Sequence, residues 1–224
     1  GVPFLPPSAG NFAGEFNLLL AGLLAVTGAV LGLVVLLMFR FCAHYRRSNA
    51  AADRGHQTRK SWHWEVGWTT ASFIVFLGLY AWGADLFLRE HHPPAAAQDI
   101  YVVGKQWMWK VEHQGGQREI NALHVPIGRP VQLTMISQDV FHSGAVPDFR
   151  IKREVIPGRY STVWFQATTP GTYHLFCTQY CGTNHSQMIG EVTAMTPDDF
   201  QKWLQASTSG MSLAQNGERL FASM

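Results

Sequence analysis

The chain has 224 residues and a formal net charge of +2. This length excludes more than one or two domains, and so small a charge gives no reason to expect a nucleic-acid partner. Hydrophobic residues make up 47% and charged residues 14% of the sequence, but their distribution is uneven. Long apolar runs fill the chain up to about Phe87, whereas the pattern after about Ile100 is typical of a β domain.

Two apolar segments predict a helical hairpin in a membrane. Leu18–Phe39 has no charged residue, and Trp68–Leu88 has only Asp85. A helix of about 20 apolar residues crosses a bilayer, and two such helices are too few to form a transport path of their own. Buried helices of a soluble protein are the first alternative, but such helices are shorter and carry a polar face. A signal peptide is the second alternative for the first apolar run, but signal peptides begin with a basic segment and none precedes this run.

The segment between the two spans is basic. Few Lys or Arg residues flank the outer ends of the spans, so the positive-inside rule places this loop in the cytoplasm of a bacterium. Both termini and the C-terminal domain are then on the periplasmic side of the inner membrane. The six basic residues of the loop are Arg40, Arg46, Arg47, Arg54, Arg59 and Lys60.

Beyond Pro93 and Pro94, short runs of β-branched and aromatic residues alternate with Gly and Pro turn signals. Many short strands at this spacing predict an all-β sandwich or barrel of Greek-key type. We therefore divide the chain into an N-terminal segment with a two-helix transmembrane anchor (1–92), a linker (93–99), a β domain (100–205) and a tail (206–224).

Sulfur and imidazole side chains are concentrated in one loop near the end of the β domain. These ligand types favour copper, zinc or iron over magnesium or calcium. Two thiolates can bridge two metal ions, with one histidine on each, a thioether on one and a backbone carbonyl on the other. The candidate ligands are His142, Cys177, the carbonyl of Gln179, Cys181, His185 and Met188.

Two other interpretations of this loop are open at the level of sequence. A Cys177–Cys181 disulfide is compatible with an extracytoplasmic location. A zinc site of two cysteines and two histidines is also compatible, although zinc sites rarely include a methionine such as Met188.

Four stretches resemble subunit II of cytochrome c oxidase: 104–109, 139–143, 156–159 and 177–188. The resemblance implies a cupredoxin-like domain that carries a dinuclear copper centre, CuA, held by the six candidate ligands. It implies that the centre accepts electrons from a c-type cytochrome and relays them to haem in subunit I. There oxygen is reduced to water, coupled to proton pumping.

The resemblance also implies roles for single residues. Trp107 is implied as the residue through which electrons enter, and Glu65 as the entrance of a proton path. Many members have Glu where this chain has Gln179, so we do not expect the usual magnesium ion at the interface with subunit I. Residues 212–221 resemble the first helix of a cytochrome c domain, but the chain lacks Cys-x-x-Cys-His, so no haem is expected in it.

The expected partners are subunit I and other oxidase subunits, membrane lipid, and a c-type cytochrome that is soluble, tethered or fused. Basic residues outnumber acidic ones on the β domain, so we do not expect a uniformly acidic docking face. Two alternative functions are a quinol-oxidase subunit with a purely structural β domain and a membrane-anchored copper carrier.

Overall fold

The computed structural model describes residues 5–49, 52, 61–208 and 221. It contains two compact units: Glu15–Leu86, and Gly1–Gly14 together with Phe87–Met224. The first unit is helical and the second is mainly β-sheet. This division agrees with the change of sequence pattern, but its boundaries differ from the predicted ones.

The helical unit consists of most of α1 (Ala13–His44) and α2 (Trp62–His91), which have 32 and 30 residues. Their most apolar windows have mean hydropathy values of 2.6 and 1.7, and almost none of those residues is buried within the protein. A helix in a soluble core would bury this apolar surface. Both helices are therefore long and apolar enough to cross a membrane, and each extends past the predicted span at both ends.

Small residues lie where the two helices approach each other. A Cβ atom on Gly22 would be 3.4 Å from the ring of Trp82, and one on Gly83 would be 3.8 Å from Leu19. Glycine lets the backbones of membrane helices come close enough for van der Waals packing.

In the part of the chain that the structure describes, ten strands form two five-stranded sheets, with the orders β3-β2-β1-β5-β8 and β4-β10-β9-β6-β7. Most neighbours are antiparallel, but β1 pairs with β5, and β4 with β10, in parallel. The strands are β1 (Gln98–Lys105), β2 (Met108–His113), β3 (Arg118–Ile120), β4 (Ala122–Pro126), β5 (Pro130–Ser137), β6 (His142–Val146), β7 (Ile151–Val155), β8 (Ser161–Gln166), β9 (Gly171–Cys177) and β10 (Ile189–Met195).

The core of the β unit lies between the two sheets. Alternate residues of β5 are buried, as expected for a strand with one face on the core. Trp109, Leu133 and Phe165 from one sheet meet Leu123 and Leu175 from the other. A closing helix, α3 (Pro197–Thr208), begins after Thr196, whose hydroxyl caps the N–H of Asp199 at 3.2 Å.

The N-terminal segment is a correction to the predicted domain boundaries. We grouped residues 1–92 with the anchor, but the segment up to Gly14 belongs to the β unit. Ala9 donates its N–H to the carbonyl of Asp148 at 3.0 Å and accepts the N–H of Thr168 at 2.8 Å. Gly10 forms a β-bridge with Ala167. These are backbone contacts, so no side-chain pattern indicates them.

Three other boundaries also move. The last turn of α2, from Phe87, belongs to the β unit, and the first strand begins at Gln98 within the predicted linker. Helix α3 continues to Thr208, past the predicted end of the domain at 205. The predicted similarity of residues 212–221 to a cytochrome c helix lies outside the described residues, apart from Phe221.

Replacement of Gly10 tests the N-terminal contact. A Cβ atom at Gly10 would be 2.8 Å from the Cα of Phe149, a distance at which the backbone must shift. We expect Gly10→Ala to lower the free energy of unfolding of the β unit by about 1–3 kcal/mol. Denaturant unfolding of the detergent-solubilised chain, followed by tryptophan fluorescence, measures this loss.

The matched control is Gly14→Ala, because a Cβ atom there has no neighbour within 4 Å. We expect this change to leave the free energy of unfolding equal or slightly higher, since alanine favours a helix. Equal stability of both variants would contradict the close packing at Gly10.

Candidate metal centre

Strand pairing brings the two parts of the candidate site together. His142 is the first residue of β6 and Cys177 the last residue of β9, and these strands pair with Gly144 opposite Cys177. After β9, the N–H of Thr178 donates to the carbonyl of Ser143 at 2.8 Å. The loop that follows therefore lies beside the start of β6.

The loop then turns back on itself. A short 3-10 helix covers His185–Gln187, and the N–H of Cys177 donates to the carbonyl of Met188 at 3.2 Å. This closure directs the side chains of the loop toward a common centre, which also receives His142.

All six predicted ligands lie in one cluster. The Sγ atoms of Cys177 and Cys181 are 3.8 Å apart. Nδ1 of His142 is 3.9 Å from the first thiol, and Nδ1 of His185 is 3.4 Å from the second. The remaining two distances are 3.3 Å from Cys177 Sγ to the Gln179 carbonyl oxygen and 3.9 Å from Cys181 Sγ to Met188 Sδ.

Both cysteines in the cluster are free thiols. Their separation of 3.8 Å is far above the S–S bond length of about 2.05 Å, so the structure does not support the disulfide interpretation. His142, Cys177 and Cys181 form a group whose ligand atoms lie within 4.8 Å of one another, close enough to hold a metal ion.

Four of the six candidate ligands are shielded from water: His142 is 0%, Met188 1%, Cys181 4% and Cys177 8% exposed. His185 is half-buried and Gln179 is exposed. Burial and the neighbouring Cys177 thiol raise the pKa of Cys181 to about 12. A bound cation is what would stabilise two thiolates here, and soft sulfur and nitrogen donors fit copper better than a hard cation.

Asp139 orients the upstream histidine. Its Oδ1 is 2.8 Å from Nε2 of His142, which leaves Nδ1 of that ring facing the Cys177 thiol. Burial works against the charge of Asp139, but hydrogen bonds from the backbone of Gln106, from His142 and from the backbone of Val140 lower its pKa overall. A carboxylate behind an imidazole ligand fixes the ring and raises its basicity.

Trp107 lies against the metal-ligand loop. A Cβ atom on Gly182 would be 3.2 Å from its ring, and Gly182 has φ +120°, a value that glycine adopts readily. The indole Nε1 is buried without a hydrogen-bond partner among the described residues. The structure thus brings Trp107 to the candidate site.

Glu65 belongs to the helical unit, in the first turn of α2. Its carboxylate accepts a hydrogen bond from the hydroxyl of Ser61. Its predicted role in proton uptake stays a prediction.

Sequence analysis missed the side chains that support the ligands. Asp139 stands three residues before His142 in one of the family-like stretches. This short spacing could have indicated a carboxylate that supports the histidine. Gln106 also lies in a family-like stretch, but its contact with the loop joins residues 75 positions apart, so no local spacing to the ligands indicates it.

A second buried polar cluster was also missed. Glu119 Oε1 is 2.8 Å from Nε2 of His113, and Oε2 is 2.5 Å from Nδ1 of His124. Trp203 of α3 stacks on His124 with ring centres 4.6 Å apart. Burial opposes the charge of Glu119, but the hydrogen bonds from both histidines prevail and lower its pKa to about 2.

This cluster predicts an acid-dependent loss of stability. The folded-state pKa of Glu119 is below its ordinary value of 4.5, so its stabilisation is complete above pH 4.5 and is lost as the pH falls toward 2. The full effect is about 3 kcal/mol. We expect Glu119→Gln to lower the free energy of unfolding at pH 7 and to flatten its dependence on pH in that window.

The control is Glu112→Gln. Glu112 is 3.2 Å from Arg118, but both side chains are exposed, so the change should alter stability by less than about 1 kcal/mol. Equal pH profiles for Glu119→Gln and the unmodified chain would contradict the assignment.

Comparison with known proteins gives a consistent result. The family model described as "Cytochrome C oxidase subunit II, periplasmic domain" matches residues 117–195. An "Alternative cytochrome c oxidase subunit 2" of Bradyrhizobium diazoefficiens is 28% identical over 226 residues, which cover 84% of this chain and 79% of that protein. A "Cytochrome c oxidase subunit 2" of Synechocystis is 41% identical over 108 residues, covering 48% of this chain but only 32% of that protein.

A solved structure supports the same fold. The periplasmic domain of subunit II of the Bradyrhizobium japonicum cytochrome oxidase matches with a TM-score of 0.50 and 26% identity, over 52% of this chain and 96% of that one. The prediction of two apolar helices followed by a cupredoxin-like β domain is confirmed.

Proposed function

The chain belongs to the cytochrome c oxidase subunit II family, and from that premise we propose that it is the electron-accepting subunit of a terminal respiratory oxidase. The observation that carries this proposal is the largely buried cluster of two thiols, two imidazoles, a thioether and a carbonyl. In this proposal, electrons come from a c-type cytochrome and pass to haem in subunit I.

The donor set fits a dinuclear copper centre. His142, Cys177, the Gln179 carbonyl, Cys181, His185 and Met188 would hold two copper ions. When bound, this group supplies reversible one-electron transfer. The two thiols are 3.8 Å apart, so both can share the same pair of ions.

The protein contributes a mostly buried environment for that centre. Burial of His142, Cys181 and Met188 keeps water away from these three ligands. Asp139 fixes the ring of His142 through Nε2. A closed ligand set has no position for a substrate, which suits an electron relay. Reduction of oxygen to water, with its coupled proton pumping, therefore belongs to subunit I.

Trp107 is the residue through which we propose that electrons enter. Its ring lies within about a van der Waals contact of the metal-ligand loop at Gly182, which gives a short path from the surface of the domain.

Glu65 is a separate proposal, as the entrance of a proton path into subunit I. This residue lies in the first turn of α2, next in sequence to the basic segment that connects the two helices.

The apolar helices and the periplasmic-domain relatives indicate a membrane-anchored subunit with an extracytoplasmic domain. We propose the bacterial inner membrane, with the β unit in the periplasm and the connection between the helices in the cytoplasm.

The exposed amide of Gln179 is a weak ligand for magnesium, so we propose no magnesium ion of the usual kind.

The two alternative functions are less well supported. A purely structural β domain would not require six metal-binding groups to converge. A copper carrier requires ligands that an exchange partner can reach, whereas His142, Cys181 and Met188 are buried.

Rapid mixing of the assembled oxidase with a reduced c-type cytochrome tests the proposal. We expect the copper centre, followed through its optical band, to be reduced before the haem in subunit I. Reduction of haem at an unchanged rate in a complex whose subunit II has no copper would contradict the relay.

A further inference from the structure

Gln106 connects the two parts of the metal centre. Its backbone N–H donates to Oδ2 of Asp139 at 2.7 Å. Its side-chain Nε2 donates to the carbonyl oxygen of Cys181 at 2.8 Å. One residue thus contacts both the carboxylate that orients His142 and the backbone of a cysteine ligand.

The two contacts belong to one continuous network. Asp139 uses its other oxygen, Oδ1, to bind Nε2 of His142 at 2.8 Å. The path from Cys181 through Gln106 and Asp139 to His142 therefore consists of three hydrogen bonds between 2.7 and 2.8 Å. Two of these bonds have the Asp139 carboxylate as their acceptor, and such charge-assisted bonds are stronger than neutral ones.

The loop is shaped to allow this approach. A Cβ atom on Gly182 would be 2.9 Å from Nε2 of Gln106 and 3.2 Å from the ring of Trp107. Gly182 follows Cys181 directly and has φ +120°. Any larger residue there would push the amide away from the carbonyl that it binds, so glycine is needed for Gln106 to hold the loop.

We propose that Gln106 is a positioning residue for the metal centre: it holds the Cys181 loop at a fixed distance from His142. The proposal rests on the proposed function, in that the bound metal is taken to be copper. Gln106 touches no ligand atom, so it acts by limiting the geometries that the loop can adopt. Because Gln106 is bonded to Trp107, the same contact also fixes that ring against the loop.

Two substitutions in the full-length, detergent-solubilised chain test this role. Gln106→Ala removes the amide, whereas Gln106→Glu keeps its size and the backbone N–H but replaces the Nε2 donor with an acceptor. We expect both to weaken copper binding about tenfold in competition with a chelator, the lower end of the range for groups that support a metal ligand. We also expect an altered copper hyperfine splitting, and faster amide hydrogen exchange over residues 181–188 in the metal-free chain.

Gln138→Glu is the matched control. It adds the same negative charge to an exposed residue of the neighbouring segment, where the present side chain accepts a hydrogen bond from Lys110 at 3.3 Å. Copper affinity and loop exchange should stay at the values of the unmodified chain, which separates the lost hydrogen bond from a general effect of charge.

Unchanged affinity and exchange in both Gln106 variants would overturn the proposal. So would normal behaviour of Gln106→Glu beside a defective Gln106→Ala, because side-chain volume would then position the loop. Hydrogen exchange in the metal-free chain separates the positioning role of Gln106 from the proposed electron-relay function, because it does not require copper to bind. If the unmodified chain takes up no copper, the proposed function fails, while faster exchange in both variants still supports the positioning role.

Discussion

Cys181→Ser should abolish the copper centre and the electron relay with it. The thiol of Cys181 is within 3.9 Å of Cys177 Sγ, His185 Nδ1 and Met188 Sδ, so it contacts three of the other candidate ligands. A serine oxygen is a harder ligand and binds copper poorly. Even groups that only support a ligand are worth 10–100-fold in metal affinity. We therefore expect copper affinity and cytochrome c oxidation by the assembled oxidase to fall by at least about 100-fold.

Cys42→Ser is the matched control, because Cys42 is also a free thiol but is exposed in α1. The same change of sulfur to oxygen there should leave copper content and turnover unaffected. Normal copper content in Cys181→Ser, measured by metal analysis on the folded chain, would show that this cysteine is not a ligand.

Trp107→Phe should slow electron transfer from the cytochrome while leaving the copper centre intact. The indole ring lies over Gly182 beside the ligand loop, and its buried Nε1 has no partner among the residues that the structure describes. A phenyl ring is smaller and further from the loop, so the path for electrons becomes longer. We expect the rate of copper reduction to fall by at least an order of magnitude, with the same copper content and hyperfine pattern.

Trp164→Phe provides the comparison at a distance from the ligands. Trp164 lies on β8, packs edge-on against Phe12, and donates its Nε1–H to the carbonyl of Arg89 at 3.0 Å. This substitution should affect stability rather than the rate of copper reduction. Equal rates for Trp107→Phe and the unmodified chain would exclude Trp107 as the residue through which electrons enter.

The two apolar helices and the cluster of candidate ligands could be predicted because both leave local signals in the sequence. An uninterrupted apolar run specifies a membrane helix without reference to the rest of the chain. Five of the six candidate ligands lie within twelve residues, and the sixth, His142, stands in a family-like stretch. The strands were indicated by alternating residues and turn signals, although neither of the parallel pairings could be derived from them.

The remaining features depend on contacts between distant residues. Ala9 and Gly10 pair with the rest of the β unit through backbone atoms, and the sequence around them has no alternating strand pattern that would indicate this pairing. The contact between Gln106 and Cys181 requires strands β1 and β2 to lie beside the loop after β9. Glu119, in the middle of β3, is buried with two histidines, although a carboxylate is usually exposed. The packing of Trp203 from α3 on His124, which covers this cluster, could not be derived from the sequence.

Copper analysis combined with low-temperature electron paramagnetic resonance on the purified full-length chain tests the central claim most directly. We predict two copper ions per chain and a seven-line hyperfine pattern, which arises when one unpaired electron is shared equally by two copper nuclei. Cys42→Ser should give the same spectrum and Cys181→Ser none. A single mononuclear copper, or no copper in a correctly folded chain, would contradict the electron-relay function.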